Sequence, residues 1–119
     1  MLKVCISWVL VLACMGLIFY FGSLPGSDVP SLFPYQDIVF HFTIYLILGA
    51  FFSRAMNFTN PHLKLRRIIL ISALFVFFYG LSDELHQLFV PGRSCAFSDA
   101  LTDGLGGLSG SLLLLRCLK

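Results

Sequence analysis

Four apolar runs, parted by breakers and basic clusters, organise the chain. The first covers residues 4–21 and ends at GSLPGSDVPSLFPYQ, where Pro25, Pro30 and Pro34 prevent a helix from continuing. The second covers about residues 37–53, the third 68–90 and the fourth 98–115. A helix needs about 20 residues to cross the hydrocarbon core, so the second and fourth runs must borrow polar ends or sit in thinned bilayer. The pattern predicts an all-α fold, a four-transmembrane-helix bundle forming one domain over residues 1–119.

Composition agrees. With 58% hydrophobic residues in 119 and a mean hydropathy of +0.91, the chain has too few charges to clothe a soluble globule. A net charge of +2 without a basic groove motif argues against a nucleic-acid partner. Cys5, Cys14, Cys95 and Cys117 show no metal-ligand spacing, and three of them sit in apolar runs as small hydrophobes. The VLAC segment at Val11 to Cys14 faintly resembles a lipoprotein cleavage box, but the sequence stays apolar through Phe21, which fits an uncleaved first helix.

The distribution of basic residues sets the expected orientation. Lys3, Arg54, Lys64, Arg66, Arg67, Arg116 and Lys119 fall at the termini and around the middle loop, while the first loop has no basic residue and the third only Arg93. The positive-inside rule then puts both termini and the middle loop in the cytoplasm. Under that orientation the polar ends of helices two, three and four share the outer side.

Those ends carry the candidate chemistry. Asp37 and His41 open helix two, Asp83, Glu84, His86 and Gln87 close helix three, and Asp99 and Asp103 open helix four. Glu84 lies roughly 10 Å inside Pro91, and Asp103 roughly 6 Å below Asp99. A carboxylate facing lipid at mid-helix costs about 2.5 to 3.5 kcal/mol, so these groups should face the bundle interior or a wet cavity. The four-residue spacing of Asp37 with His41, and of Asp99 with Asp103, puts each pair on one helix face. The helix-three group fans over roughly 160°, which directs Glu84 and Gln87 inward, Asp83 toward a neighbouring helix and His86 toward the interface.

Other positions have plainer readings. Gly106 and Gly110, with Ser109 and Ser111, form a small-residue packing face on helix four. Tyr45 and Tyr79 read as packing residues and His62 as a solvated loop histidine. His41 either donates a hydrogen bond to a neighbouring helix or takes part in function. Arg93, in the FVPGRS turn, is an interfacial anchor, a partner for Asp99, or a guanidinium fork for a phosphate or carboxylate.

The segments DIVFHF at Asp37 to Phe42, SDELHQLFVPGR at Ser82 to Arg93 and DALTDGLGGLSG at Asp99 to Gly110 together resemble the VanZ-like membrane proteins. GSLPG at Gly22 to Gly26 is similar to the turn that follows the family's first helix, and the resemblance extends over about three quarters of the chain. Ile38 stands where the family commonly has lysine. The resemblance implies a multi-pass protein of the bacterial cytoplasmic (inner) membrane, in a family named for an association with teicoplanin resistance, and no defined reaction.

Three functions fit this reading. In the first, an enzyme acts on an envelope lipid or glycan headgroup, with Glu84 or His41 as general base, Asp99 and Asp103 orienting it or holding a divalent cation such as magnesium, and Asp37, Gln87 and Arg93 binding. No nucleophile or cofactor motif accompanies these residues. In the second, the same pocket binds a membrane lipid, a lipophilic glycopeptide antibiotic or a partner helix without turnover. A small transporter or flippase is the third, and four short helices would support it only as a homo-oligomer.

Overall fold

Along the first apolar run, Ser7, Val11, Cys14, Ile18 and Gly22 are buried while Val9, Leu12, Leu17, Phe19 and Phe21 are exposed. Steps of three and four residues make this one stripe of a helix. The computed structural model describes residues 1–93 and 96–117. Among them it has four α-helices, one short 3-10 turn and no strand: α1 at Leu2–Gly22, the turn at Gly26–Asp28, α2 at Gln36–Thr59, α3 at Leu65–Gln87 and α4 at Phe97–Cys117. By length and apolarity, α1, α2 and α3 each suffice to cross a membrane. Asp99, Asp103 and the glycine and serine positions dilute the hydropathy of α4.

The helix count agrees with the sequence, but the boundaries of α2, α3 and α4 differ. α2 has 24 residues instead of stopping near residue 53, because SRAMNF contains no breaker and the helix ends just before Asn60-Pro61. α3 takes in Leu65 to Arg67 at its start and ends at Gln87, after which Phe89 and Val90 close tighter turns on His86 and Gln87. α4 also has 21 residues, so neither α2 nor α4 is short.

The interior reverses the pattern of a soluble protein. Large apolar side chains cover the outside, whereas Ser7, Ser53, Ser72, Asp83, Glu84, Gln87, Asp103 and Ser111 lie buried among Val11, Tyr45, Leu48 and Val76. Such a distribution suits a hydrocarbon surround, where packing of small residues and hydrogen bonds hold helices together. α2 and α4 run parallel as the closest pair: Gly106 and Gly110 sit on the main chain of Phe42 and Leu46, and Gly49 sits on that of Gly107. A Cβ at Gly106 would lie 2.7 Å from the Phe42 carbonyl oxygen. The small-residue face expected on α4 is therefore a backbone-to-backbone contact. α3 packs on the other side of α4 through Gly80 and Val76, and α1 lies against α2 and α3.

Alternating helix direction gathers the C-terminal ends of α1 and α3 with the N-terminal ends of α2 and α4. At this end the first loop is stitched to the turn after α3: Gly26 N–H donates to Pro91 O at 2.9 Å. Gly26 has no room for a Cβ because the Gly92 carbonyl occupies that space, and Gly92 itself has φ of 74°, in the left-handed region. Buried Gln36 ties down the rest of the loop, accepting from Leu32 N–H and donating to Pro30 O, each at 2.6 Å. Gly26 of GSLPG and Gly92 of VPGR thus close one end of the bundle around its polar residues.

Candidate functional site

Four helices contribute to the polar end. His41, one turn into α2 from Asp37, meets Asp103 of α4, with Nδ1 3.0 Å from Oδ1. Asp103 is fully buried, and its other oxygen rests on α3 at Gly80, where an added Cβ would lie 2.6 Å from Oδ2. Glycine at position 80 is what lets the carboxylate reach between the helices. Asp83 of α3 does the same toward α1: a Cβ at Gly22 would lie 2.5 Å from its Oδ1. Its Oδ2 accepts from Tyr45 Oη at 3.0 Å and Gln87 Nε2 at 3.3 Å.

Asp83, Glu84 and Gln87 all point inward, and His86 stays partly exposed, stacked on Phe19 with ring centroids 4.8 Å apart. Glu84 and Gln87 point inward and Asp83 finds a cross-helix partner, as expected, but Asp83 is buried along with them. Reading Tyr45 as packing misses half its role, since its hydroxyl is the α2 donor that reaches Asp83. The signal was present: Tyr45 follows His41 by four residues and so shares its face. Tyr79 likewise donates to Met15 O at 2.7 Å, tying α3 to α1.

Glu84 is 1% exposed and its Oε2 accepts from Ala96 N–H at 3.2 Å, which pins the start of α4 to α3. Among the described residues its Oε1 has no hydrogen-bond partner. One donor atom each from His41, Asp83 and Glu84 come within 4.8 Å of one another. Asp99, half-buried one turn above Asp103, is not part of that set.

Arg93 turns back over α1, its Nη1 3.4 Å from both the Phe21 and the Leu24 carbonyl oxygens. Among the described residues no Lys or Arg nitrogen lies within 4.0 Å of a carboxylate oxygen, so the expected alternative of an Arg93 pair with Asp99 is not formed. Cys95, which the positive-inside orientation puts in the outer third loop, lies outside the described residues.

Two adjoining cavities open at this end. A polar one of about 250 Å³ is bordered by Gln36, Asp37, His41, Gln87, Arg93 and Asp99. An apolar one of about 520 Å³ extends between α1 and α2 along Ile18, Phe21, Phe40, Ile44 and Ile47 to Asp83. Asp37, His41, Gln87 and Arg93 border both. Glu84 and Asp103 border neither and lie behind His41.

With the three motif segments converging on one end, the sequence resemblance acquires a geometry. A family model described as VanZ/LLP1 matches residues 7–118. The chain belongs to the VanZ/LLP1 family. No match is found among curated proteins. None is found among solved structures. In this VanZ/LLP1 protein the motif residues divide by position: Asp37, His41, Asp83, Gln87, Arg93 and Asp99 border the cavities, while Glu84 and Asp103 are locked between helices. Gly22 and Gly80 support this arrangement, because each makes room for one carboxylate.

Proposed function

We propose that this VanZ/LLP1 membrane protein is a binding module for an amphiphile of the bacterial cell envelope, holding an acyl chain between α1 and α2 and the headgroup at the polar mouth. The proposal includes four membrane crossings, with α4 passing through alongside α2 and both termini in the cytoplasm, so that the mouth faces the outer leaflet. The union of the apolar and polar cavities at Asp37, His41, Gln87 and Arg93 carries this reading. Together they have the size range of small-molecule sites.

An acyl chain already dissolved in the bilayer gains little from an apolar groove, because lipid tails are as apolar as the side chains that would replace them. Selectivity must come from the headgroup. The polar cavity presents Arg93 for a phosphate or carboxylate and the acids Asp37 and Asp99 for an amine, so a headgroup of mixed sign fits better than a purely anionic one. The position of Glu84 and Asp103 behind His41 favours binding over direct catalysis by these two carboxylates. A lipophilic glycopeptide such as teicoplanin has the same division into apolar and polar parts and is the second candidate ligand, in keeping with the family's association with resistance.

Native mass spectrometry on the protein in nanodiscs of equal phosphatidylethanolamine, phosphatidylglycerol and phosphatidylcholine tests the proposal. Retention of phosphatidylethanolamine is expected, lost in Arg93→Ala and in Ile47→Trp, which fills the groove. In Asp37→Asn/Asp99→Asn the preference should shift to phosphatidylglycerol. Equal retention of all three lipids by the unaltered protein, or retention insensitive to Ile47→Trp, would refute it.

A further inference from the structure

We propose that His41, Asp83 and Glu84 form a binding site for a divalent transition cation, manganese(II) or zinc(II), with Asp103 orienting the histidine. The site adjoins the lipid cavity, whose wall includes His41 and Asp83, but it is tested with the ion alone and does not depend on the amphiphile reading.

Geometry is the first support. One donor atom from each of the three residues lies within 4.8 Å of the others, close enough for small side-chain adjustments to bring them to the roughly 2.0 to 2.2 Å bonds of a zinc-type centre. Donors from two helices are thus close enough to converge on one cation. The second support is independent of spacing. Glu84, 99% removed from solvent, keeps Oε1 without a partner among the described residues while Oε2 is satisfied by Ala96 N–H. A buried unpartnered carboxylate oxygen is costly, and a cation beside it removes that cost.

Charge points the same way. Asp83, Glu84 and Asp103 bring three carboxylates into one buried region, His41 is the single basic side chain paired there, and Arg93 turns to main-chain carbonyls instead. The hydrogen bond between His41 Nδ1 and Asp103 Oδ1 leaves Nε2 as the nitrogen with a free lone pair. A carboxylate fixing the second nitrogen of a ligating imidazole is the usual outer-shell arrangement of such sites. Imidazole together with carboxylates selects manganese or zinc over calcium and magnesium, which favour all-oxygen sets.

The full-length protein in detergent, stripped with a chelator, is titrated with manganese(II) alone and followed by the loss of the free-ion paramagnetic resonance signal; zinc(II) is then tested by competition. One ion per chain is expected, with nitrogen coupling from a single imidazole in the bound spectrum. Glu84→Gln and Asp83→Asn should each weaken binding at least 10-fold, whereas His62→Ala, which removes a loop histidine at the opposite end, should leave it unchanged. Absence of binding by the unaltered protein at about 1 mM ion would overturn the site. So would a bound spectrum lacking nitrogen coupling, or a loss in His62→Ala equal to that in Glu84→Gln.

Discussion

Replacing Gly110 by alanine should loosen the bundle, although alanine is the better helix former. A Cβ at Gly110 would fall onto the carbonyl oxygen of Leu46 and lie 3.0 Å from the Ala50 nitrogen. Both obstacles are main chain of α2, so no side chain can rotate away and α4 must shift as a unit. Overpacking of this kind costs about 1 to 3 kcal/mol, and a rigid backbone obstacle puts the cost near the upper end. The gain in helix propensity returns about 1 kcal/mol, leaving a net loss of about 2 kcal/mol. Gly16 supplies the control: it is exposed on α1, has nothing within 4 Å of an added Cβ, and should gain up to about 1 kcal/mol as alanine. The two substitutions, identical in chemistry, are therefore separated by about 3 kcal/mol. Thermal melting of the helical circular dichroism signal in detergent measures that gap. Equal melting of Gly110→Ala and Gly16→Ala would refute the close α2 to α4 contact. Asp103 sits seven residues before Gly110, about 10 Å along the same helix, so the shift should also weaken its pairing with His41.

Three further outcomes are expected. Tyr45→Phe removes one of the two donors to buried Asp83 Oδ2 and should destabilise by about 1 to 3 kcal/mol, more than Tyr79→Phe, whose acceptor is a helix carbonyl; equal melting of the two variants would argue against the Tyr45 to Asp83 bond. A double-mutant cycle on His41→Gln and Asp103→Asn should give a coupling of about 1.5 to 3 kcal/mol, as for a hydrogen bond to a charged group, and additive effects would exclude the contact. With the native cysteines replaced by alanine, Ser31→Cys should react with an impermeant thiol reagent on intact cells and His62→Cys only after lysis. The reverse pattern would invert the proposed orientation.

Much of this protein was legible in its sequence because a membrane imposes its own grammar. Apolar runs, their breakers and the bias in Lys and Arg follow from the cost of exposing polar groups to hydrocarbon, and they gave the helix number and the gathering of acids at one end. Four-residue spacings identified shared faces: Asp37 with His41, Asp99 with Asp103, Gly106 with Gly110. A helix face, however, specifies neither the rotation of the helix nor the neighbour it meets. Tertiary packing alone decided that Asp103 goes to His41 while Asp99 borders the cavity, that Glu84 is pinned by Ala96, and that Tyr45 serves Asp83. The physical reason lies in glycines whose partners are remote in sequence. Gly22 and Gly80 make room for Asp83 and Asp103, and Gly49, Gly106 and Gly110 fix how α2 and α4 nest, which sets where every carboxylate points.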